Sequence, residues 1–125
     1  MNNLILVRHG QSKWNRENRF TGWEDVELTE KGELEARQSG ELIKKLRIKF
    51  SFCFTSLQKR AVNTLLIILE KLGEKKIIIN KAWQLNERNY GALTGLNKDE
   101  IKKKYGEKKV LAWRRSWDLP PPPMK

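Results

Sequence analysis

An α/β fold with parallel strands flanked by helices is predicted by three observations. Short apolar or β-branched runs at residues 4–7, 50–55 and 77–79 alternate with two stretches of helical periodicity. Strand, helix and strand in that order imply right-handed crossovers. The residues able to do chemistry fall just after the first two runs, at the carboxyl edge where open α/β sheets place their ligands.

Residues 4–7, Leu-Ile-Leu-Val, read as a fully buried strand that delivers the chain into Arg8-His9-Gly10. His9 is the single histidine of the 125 residues. Gly10 permits a sharp turn or a close backbone approach, and Gln11, Ser12 and Asn15 add polar groups to the same loop. Arg8 contributes a planar, permanently charged fork suited to phosphate. Residues 12–27 are expected to form a long polar loop containing Thr21-Gly22-Trp23.

A helix is expected from Thr29, a good N-cap, with Glu30 in its first turn; Ala36, Ser39, Gly40, Ile43 and Leu46 make a small-residue face expected to lie against a sheet. Residues 50–55 form the second predicted strand, with Cys53 as a buried thiol, and Ser56 is the expected cap of the helix that follows. In that helix Ala61, Leu65, Ile68, Leu69 and Leu72 form an apolar stripe, and Gly73 stops it. Arg60, in its first turn, belongs to the same sheet edge as His9. Residues 77–79 are the third strand.

Beyond Asn80 the texture becomes polar and glycine-rich, through Glu87, Arg88, Tyr90 and Gly95. Two short helices follow. Asn97 and Glu100 resemble a capping box, Gly106 separates the pair, and Trp113-Arg114-Arg115 ends the second before four prolines at residues 120–123. That tract is read as a rigid loop rather than a linker or a polyproline ligand.

Composition narrows the function. A single cysteine forbids an intrachain disulfide, and one His with one Cys cannot assemble the usual zinc sets, so no metal is expected. The formal charge of +11 rests on 17 lysines, largely in solvated helical runs, and nine arginines; no nucleic-acid motif accompanies it, so no nucleic-acid partner is expected. With no leader peptide or membrane-length apolar run, the expectation is one domain over residues 1–125, cytoplasmic and without membrane contact. One nucleophile (His9), one acid or base (Glu87) and anion-binding arginines (Arg8, Arg60, Arg114, Arg115) are the groups that phosphoryl transfer through a histidine requires.

Together these residues match a pattern. The string LVRHGQSKWNRENRFTGWEDVELTEKGELEA resembles the N-terminal signature of the histidine phosphatase superfamily. TSLQKRAVNT, LNERNYGALTGLNK and WRRSWDLPPPPM narrow the resemblance to the cofactor-dependent phosphoglycerate mutases, over essentially the whole chain. The resemblance implies a three-layer phosphoglycerate-mutase-like fold and a glycolytic isomerase interconverting 3-phosphoglycerate and 2-phosphoglycerate, primed by 2,3-bisphosphoglycerate. It implies His9 as the phosphorylated nucleophile and Glu87 as the proton donor and acceptor. Arg8, Gly10, Gln11, Ser12, Asn15, Thr21, Gly22, Arg60, Arg88, Tyr90, Lys98, Arg114 and Arg115 fall at substrate-binding positions.

The chain departs from the family pattern at Asn89, where the motif usually reads His, and at Asn63, near another position that can carry His. A larger departure is expected at the C-terminus, where the family continues to a strand with a second catalytic histidine in an HGN-type motif. That strand is implied to lie between the first two, so the expectation is the N-terminal part of the domain, with strands one and two lacking the partner that joins them. Three readings remain open on this basis: a mutase half-site, an inactive remnant or a fragment needing a separately encoded C-terminal half, and a histidine-type phosphatase. Homo-oligomerisation is open as well.

Overall fold

The computed structural model describes residues 2–125. Its helices are α1 (Lys13–Arg16), α2 (Glu30–Lys45), α3 (Lys59–Leu72), α4 (Lys98–Tyr105) and α5 (Glu107–Arg115). Two strands, β1 (Phe52–Thr55) and β2 (Ile78–Lys81), pair in parallel with Phe52 opposite Ile78 and Thr55 opposite Lys81. The α3 crossover joins them, so the predicted α/β class with parallel strands and flanking helices holds.

The first predicted strand needs correction. Residues 4–7 belong to no sheet among the described residues, and Leu4 and Leu6 are 82% and 86% exposed instead of buried. Their sequence is that of a central strand, but its ladder partner is not among these elements, so neither backbone nor side chains are covered. Cys53 is likewise only half-buried, because the edge of β1 away from β2 is bare.

Local chemistry explains most boundaries. The Thr29 hydroxyl caps α2 by accepting from the Gly32 N–H at 3.1 Å, and Gly73 ends α3 with φ 71°. The Asn97 side chain caps α4 by accepting from the Asp99 and Glu100 N–H groups. Ser56 does not cap α3. Gln58 holds the N-cap position, and the Ser56 hydroxyl accepts from the Gln58 N–H at 3.3 Å. The expected polar loop after Gly10 contains α1, closed by a reciprocal capping box between Ser12 and Asn15.

The small-residue face of α2 packs on α3 and not on a sheet. A Cβ added at Gly40 would lie 2.8 Å from Lys71 Cβ and 3.2 Å from Ile68 Cα, so the helices cross at near-backbone contact. A second cluster, Phe20, Leu93, Ile101, Val110 and Trp113, holds α4 and α5 under the 90s loop. The proline tract is a packed loop: the Pro122 carbonyl accepts from the Ala92 N–H at 2.8 Å, and Gly91 leaves the room for it.

Candidate active site

The turn after residues 4–7 is held from both helices. The Gly10 N–H donates to Thr64 Oγ1 (3.3 Å) on α3, and the Gln11 N–H donates to Glu35 Oε1 (3.1 Å) on α2. Between them the loop crosses the start of α2 so closely that a Cβ on Gly10 would sit 2.1 Å from the Gly32 carbonyl oxygen. Only glycine fits at either place. This clamp aims His9, whose Nδ1 lies 2.6 Å from the Gly10 carbonyl. A proton on Nδ1 donated to that oxygen leaves Nε2 as the free ring nitrogen.

His9 Nε2 is 3.7 Å from Glu87 Oε2, and Arg60 Nη2 donates to the same oxygen at 2.7 Å. Burial disfavours the Glu87 carboxylate, but hydrogen bonding and positive charge from Arg60, and from His9 when its ring carries a second proton on Nε2, outweigh it and bring the carboxyl down to about 2. Arg60 is fully buried. It also donates to the carbonyls of Gly22 (2.6 Å) and Glu24 (2.8 Å) and keeps only Nε without a partner.

A cavity of about 750 Å³ opens over this pair. Arg8, His9, Asn15, Thr21, Glu87, Arg88, Tyr90, Lys98, Arg114 and Arg115 line it. A second, polar cavity of about 520 Å³ adds Gly10 and Gln11 and shares Arg8, His9, Asn15, Lys98 and Arg114. Those twelve sequence-predicted residues therefore meet around His9. Ser12, Gly22 and Arg60 stand behind the site: Ser12 is buried as a helix cap, the Gly22 carbonyl receives Arg60 and Gln58, and the Arg60 guanidinium is spent on protein acceptors.

The electrostatics suit an anion. Burial and the positive charges of Arg114 and Arg8 push the Lys98 ammonium below its ordinary range, with Glu87 pulling the other way. Such crowding of cations is relieved by a negative ligand. The Thr21 hydroxyl, almost fully buried and on the cavity wall, has no hydrogen-bond partner within the protein. Arg88 is steadied by donating Nη1 to the Trp113 carbonyl at 2.7 Å, which ties the Glu87 loop to the end of α5 and its Arg114-Arg115 pair.

Sequence reasoning passed over three supporting side chains. Gln58 donates from Nε2 to the Gly22 carbonyl (2.6 Å) and accepts the Glu87 N–H at Oε1 (3.1 Å), so it fixes the backbone of the acid. Thr64 and Glu35 were invisible because they read as ordinary helix residues; the one available signal was their spacing along α2 and α3 toward the loop. Among the described residues there is no cluster of three or more potential metal ligands, and no helix is long and apolar enough to cross a membrane.

The family model for the histidine phosphatase superfamily (branch 1) matches residues 4–125. The chain is 59% identical over 124 residues to the 2,3-bisphosphoglycerate-dependent phosphoglycerate mutase of Pelagibacter ubique (strain HTCC1062), covering 99% of this chain and 52% of that protein. It is 54% identical over 125 residues to the protein of the same name from Sphingopyxis alaskensis, of which it covers 55%. Among solved structures it resembles Bacillus stearothermophilus YhfR (TM-score 0.72, 32% identity, 85% of this chain and 50% of that one). It also resembles a mycobacterial glucosyl-3-phosphoglycerate phosphatase (TM-score 0.73, 27% identity, 90% and 50%). The chain thus spans about half the length of the relatives it matches.

Proposed function

Because the chain belongs to the histidine phosphatase superfamily (branch 1), we propose that it carries the phosphoryl-accepting half of a 2,3-bisphosphoglycerate-dependent phosphoglycerate mutase, with His9 as the phosphorylated residue. The observation that carries this reading is the convergence of His9 Nε2 and Arg60 Nη2 on one oxygen of Glu87 inside a cavity ringed by Arg8, Arg88, Lys98, Arg114 and Arg115. The donor set fits the phosphate and carboxylate groups of the phosphoglycerates, and Thr21 offers a hydroxyl with no other use. When bound, 2,3-bisphosphoglycerate supplies the phosphoryl group that primes the protein.

The roles of the residues follow. The Gly10 carbonyl accepts a hydrogen bond from the His9 Nδ1–H and thereby presents the lone pair of Nε2 to the incoming phosphorus. Arg8, Arg114 and Arg115 balance charge on the transferring oxygens, and Arg88, Tyr90 and Lys98 hold the rest of the anion. Glu87 stays ionised while His9 and Arg60 both face it, which makes it a weak base in the free protein. Phosphorylation of Nε2 withdraws one of those stabilising neighbours and places negative charge beside the carboxylate, so the Glu87 proton affinity rises once His9 is modified. Glu87 is then fit to take the substrate hydroxyl proton and return it. Residues 1–125 are read as the N-terminal portion of one cytoplasmic domain, with no metal in the chemistry.

A second reading, phosphatase action, draws on the structural likeness to a mycobacterial phosphatase and on an open cavity that admits water as acceptor. Radiolabelled 2,3-bisphosphoglycerate incubated with the folded chain is expected to leave acid-labile, alkali-stable phosphate on His9, and none on a His9→Ala variant. Absence of label from a folded sample refutes the phosphohistidine. Release of labelled phosphate faster than its transfer to 3-phosphoglycerate favours the phosphatase.

A further inference from the structure

Four consecutive residues at the entry to α3 reach into the two loops that carry the site. The Leu57 N–H donates to Asn86 Oδ1 (3.1 Å), the Lys59 N–H to Asp25 Oδ1 (2.7 Å), and Arg60 to the Gly22 and Glu24 carbonyls and the Glu87 carboxylate. Gln58, between them, ties the backbone of one loop to the backbone of the other. Its Nε2 donates to the Gly22 carbonyl at 2.6 Å, and its Oε1 accepts from the Glu87 N–H at 3.1 Å. Both partners have fixed polarity, so the amide has a single orientation.

A local role does not explain this residue. Gln58 is the N-cap of α3, a place where a short side chain commonly bonds the first free N–H groups, yet its side chain makes no capping bond. Its own N–H donates to Ser56 Oγ at 3.3 Å and its carbonyl accepts from the Ala61 and Val62 N–H groups, so the base of the side chain is fixed. The buried amide is spent on two partners far away in the chain, and a local rule set aside in this manner is expected where function asks for it.

At Gly22 the two loops meet backbone to backbone. A Cβ there would lie 2.8 Å from the Arg88 carbonyl oxygen and 3.0 Å from the Tyr90 nitrogen. Gly22 follows Thr21, whose buried hydroxyl stands unpartnered on the cavity wall. Glu87 is held at two points, its N–H by Gln58 and its Oε2 by Arg60 Nη2, with His9 Nε2 3.7 Å from the same oxygen. Released at the main chain, the carboxylate keeps its cation and loses its direction toward His9.

We infer that Gln58 is a positioning residue for phosphoryl transfer, its one amide setting Glu87, which moves the proton, at a fixed distance from Thr21, which meets the anion, and from His9. The roles of Thr21, Glu87 and His9 rest on the phosphoglycerate mutase reading, whereas the bridge rests on geometry alone.

An NMR titration of the Glu87 side-chain carboxyl in the full chain tests the bridge without calling on activity. With His9 and Arg60 facing it and Lys98 further off, that carboxyl lies at about 2, and its signal is expected to stay flat from about pH 5.5 to 3.5. In Gln58→Met, similar in length and unable to make either bond, the midpoint is expected to rise by about 1 or more toward the ordinary 4.5. Gln58→Asn, polar but one methylene short of its partners, is expected to do the same. Gly73→Ala, remote from the site, is expected to leave the signal flat. A flat signal in a folded Gln58 variant overturns the proposal, as does an equal rise in Gly73→Ala. Failure of both Gln58 variants to give native circular dichroism overturns it too, because the amide would then support the fold as a whole.

The half-reactions supply the second readout. Per folded molecule, Gln58→Met is expected to slow transfer from phosphohistidine to 3-phosphoglycerate about 10- to 100-fold, with KM changed less than about threefold. Labelling of His9 is expected to fall less than about threefold, because the Gly22 carbonyl keeps Arg60 and the Thr21 side of the site stays in place. Equal losses in the two half-reactions overturn the positioning role. An unsubstituted chain that takes no label on His9 sinks the mutase reading, and the titration alone then decides the role of Gln58.

Discussion

Arg60 Nη2 lies 2.7 Å from Glu87 Oε2, joining a fully buried guanidinium to a carboxylate that also faces the cavity. The same guanidinium holds the Gly22 and Glu24 carbonyls. Arg60→Ala takes the close cation from Glu87, although the Gly22 and Glu24 carbonyls keep Gln58 Nε2 and the Val26 N–H, and empties a fully buried site; it is expected to cost about 3 kcal/mol or more in urea unfolding. Arg60→Lys recovers only part of this, because one ammonium cannot span three directions fixed by a planar fork.

Stability in acid follows from the same contact. Glu87 has its carboxyl lowered from an ordinary 4.5 to about 2 in the fold. A depressed carboxyl stabilises the fold above the ordinary value and loses that contribution as pH falls toward the folded value. The difference in unfolding free energy between the chain and Glu87→Gln is therefore expected to be flat above about pH 5 and to shrink between about 4.5 and 2. A difference that grows with acidity contradicts the ion pair.

Glu87→Gln is also expected to slow turnover of phosphohistidine to phosphoglycerate by about 10²- to 10⁴-fold while leaving labelling of His9 by 2,3-bisphosphoglycerate less affected. Rapid-quench measurement of the two half-reactions separates them.

Gly10→Ala forces a Cβ to 2.1 Å from the Gly32 carbonyl oxygen, a backbone atom in a helix that cannot step aside. A loss of about 3 kcal/mol is expected, together with displacement of His9 and loss of labelling. Gly73→Ala meets no atom within 4 Å, and only its positive φ opposes it, so about 1 kcal/mol is expected there. Equal costs at the two positions would contradict the close crossing.

Removing Arg114 takes one cation from the ring that also holds Arg8 and Lys98. A charged hydrogen bond is worth about 1.5–3 kcal/mol, so Arg114→Ala is expected to weaken 3-phosphoglycerate binding by roughly 10- to 100-fold in calorimetry.

Much of this was legible in the chain because it rests on local signals. Thr29, Gly73 and Asn97 set helix ends through their own side chains or backbone, and each stands where the sequence puts it. The meeting of His9 with Glu87, 78 residues apart in the chain, was readable only through the family pattern, since neither residue carries a local sign of the other. Residues 4–7 misled for an instructive reason: hydrophobicity records what a segment is suited to be buried by, and says nothing of whether that neighbour is present. Gln58 was missed because its amide serves two backbone partners distant in sequence, at Gly22 and Glu87, and no periodicity encodes such a bridge.

The cation ring bears finally on how a ligand arrives. Five basic side chains around one mouth, on a protein of formal charge +11, draw anions by long-range attraction before any contact forms. Their reach is set by the Debye length, about 8 Å at physiological salt and about 3 Å at 1 M. Capture of an anionic ligand is therefore expected to slow as salt rises, while its escape, governed by short contacts inside the cavity, stays nearly constant.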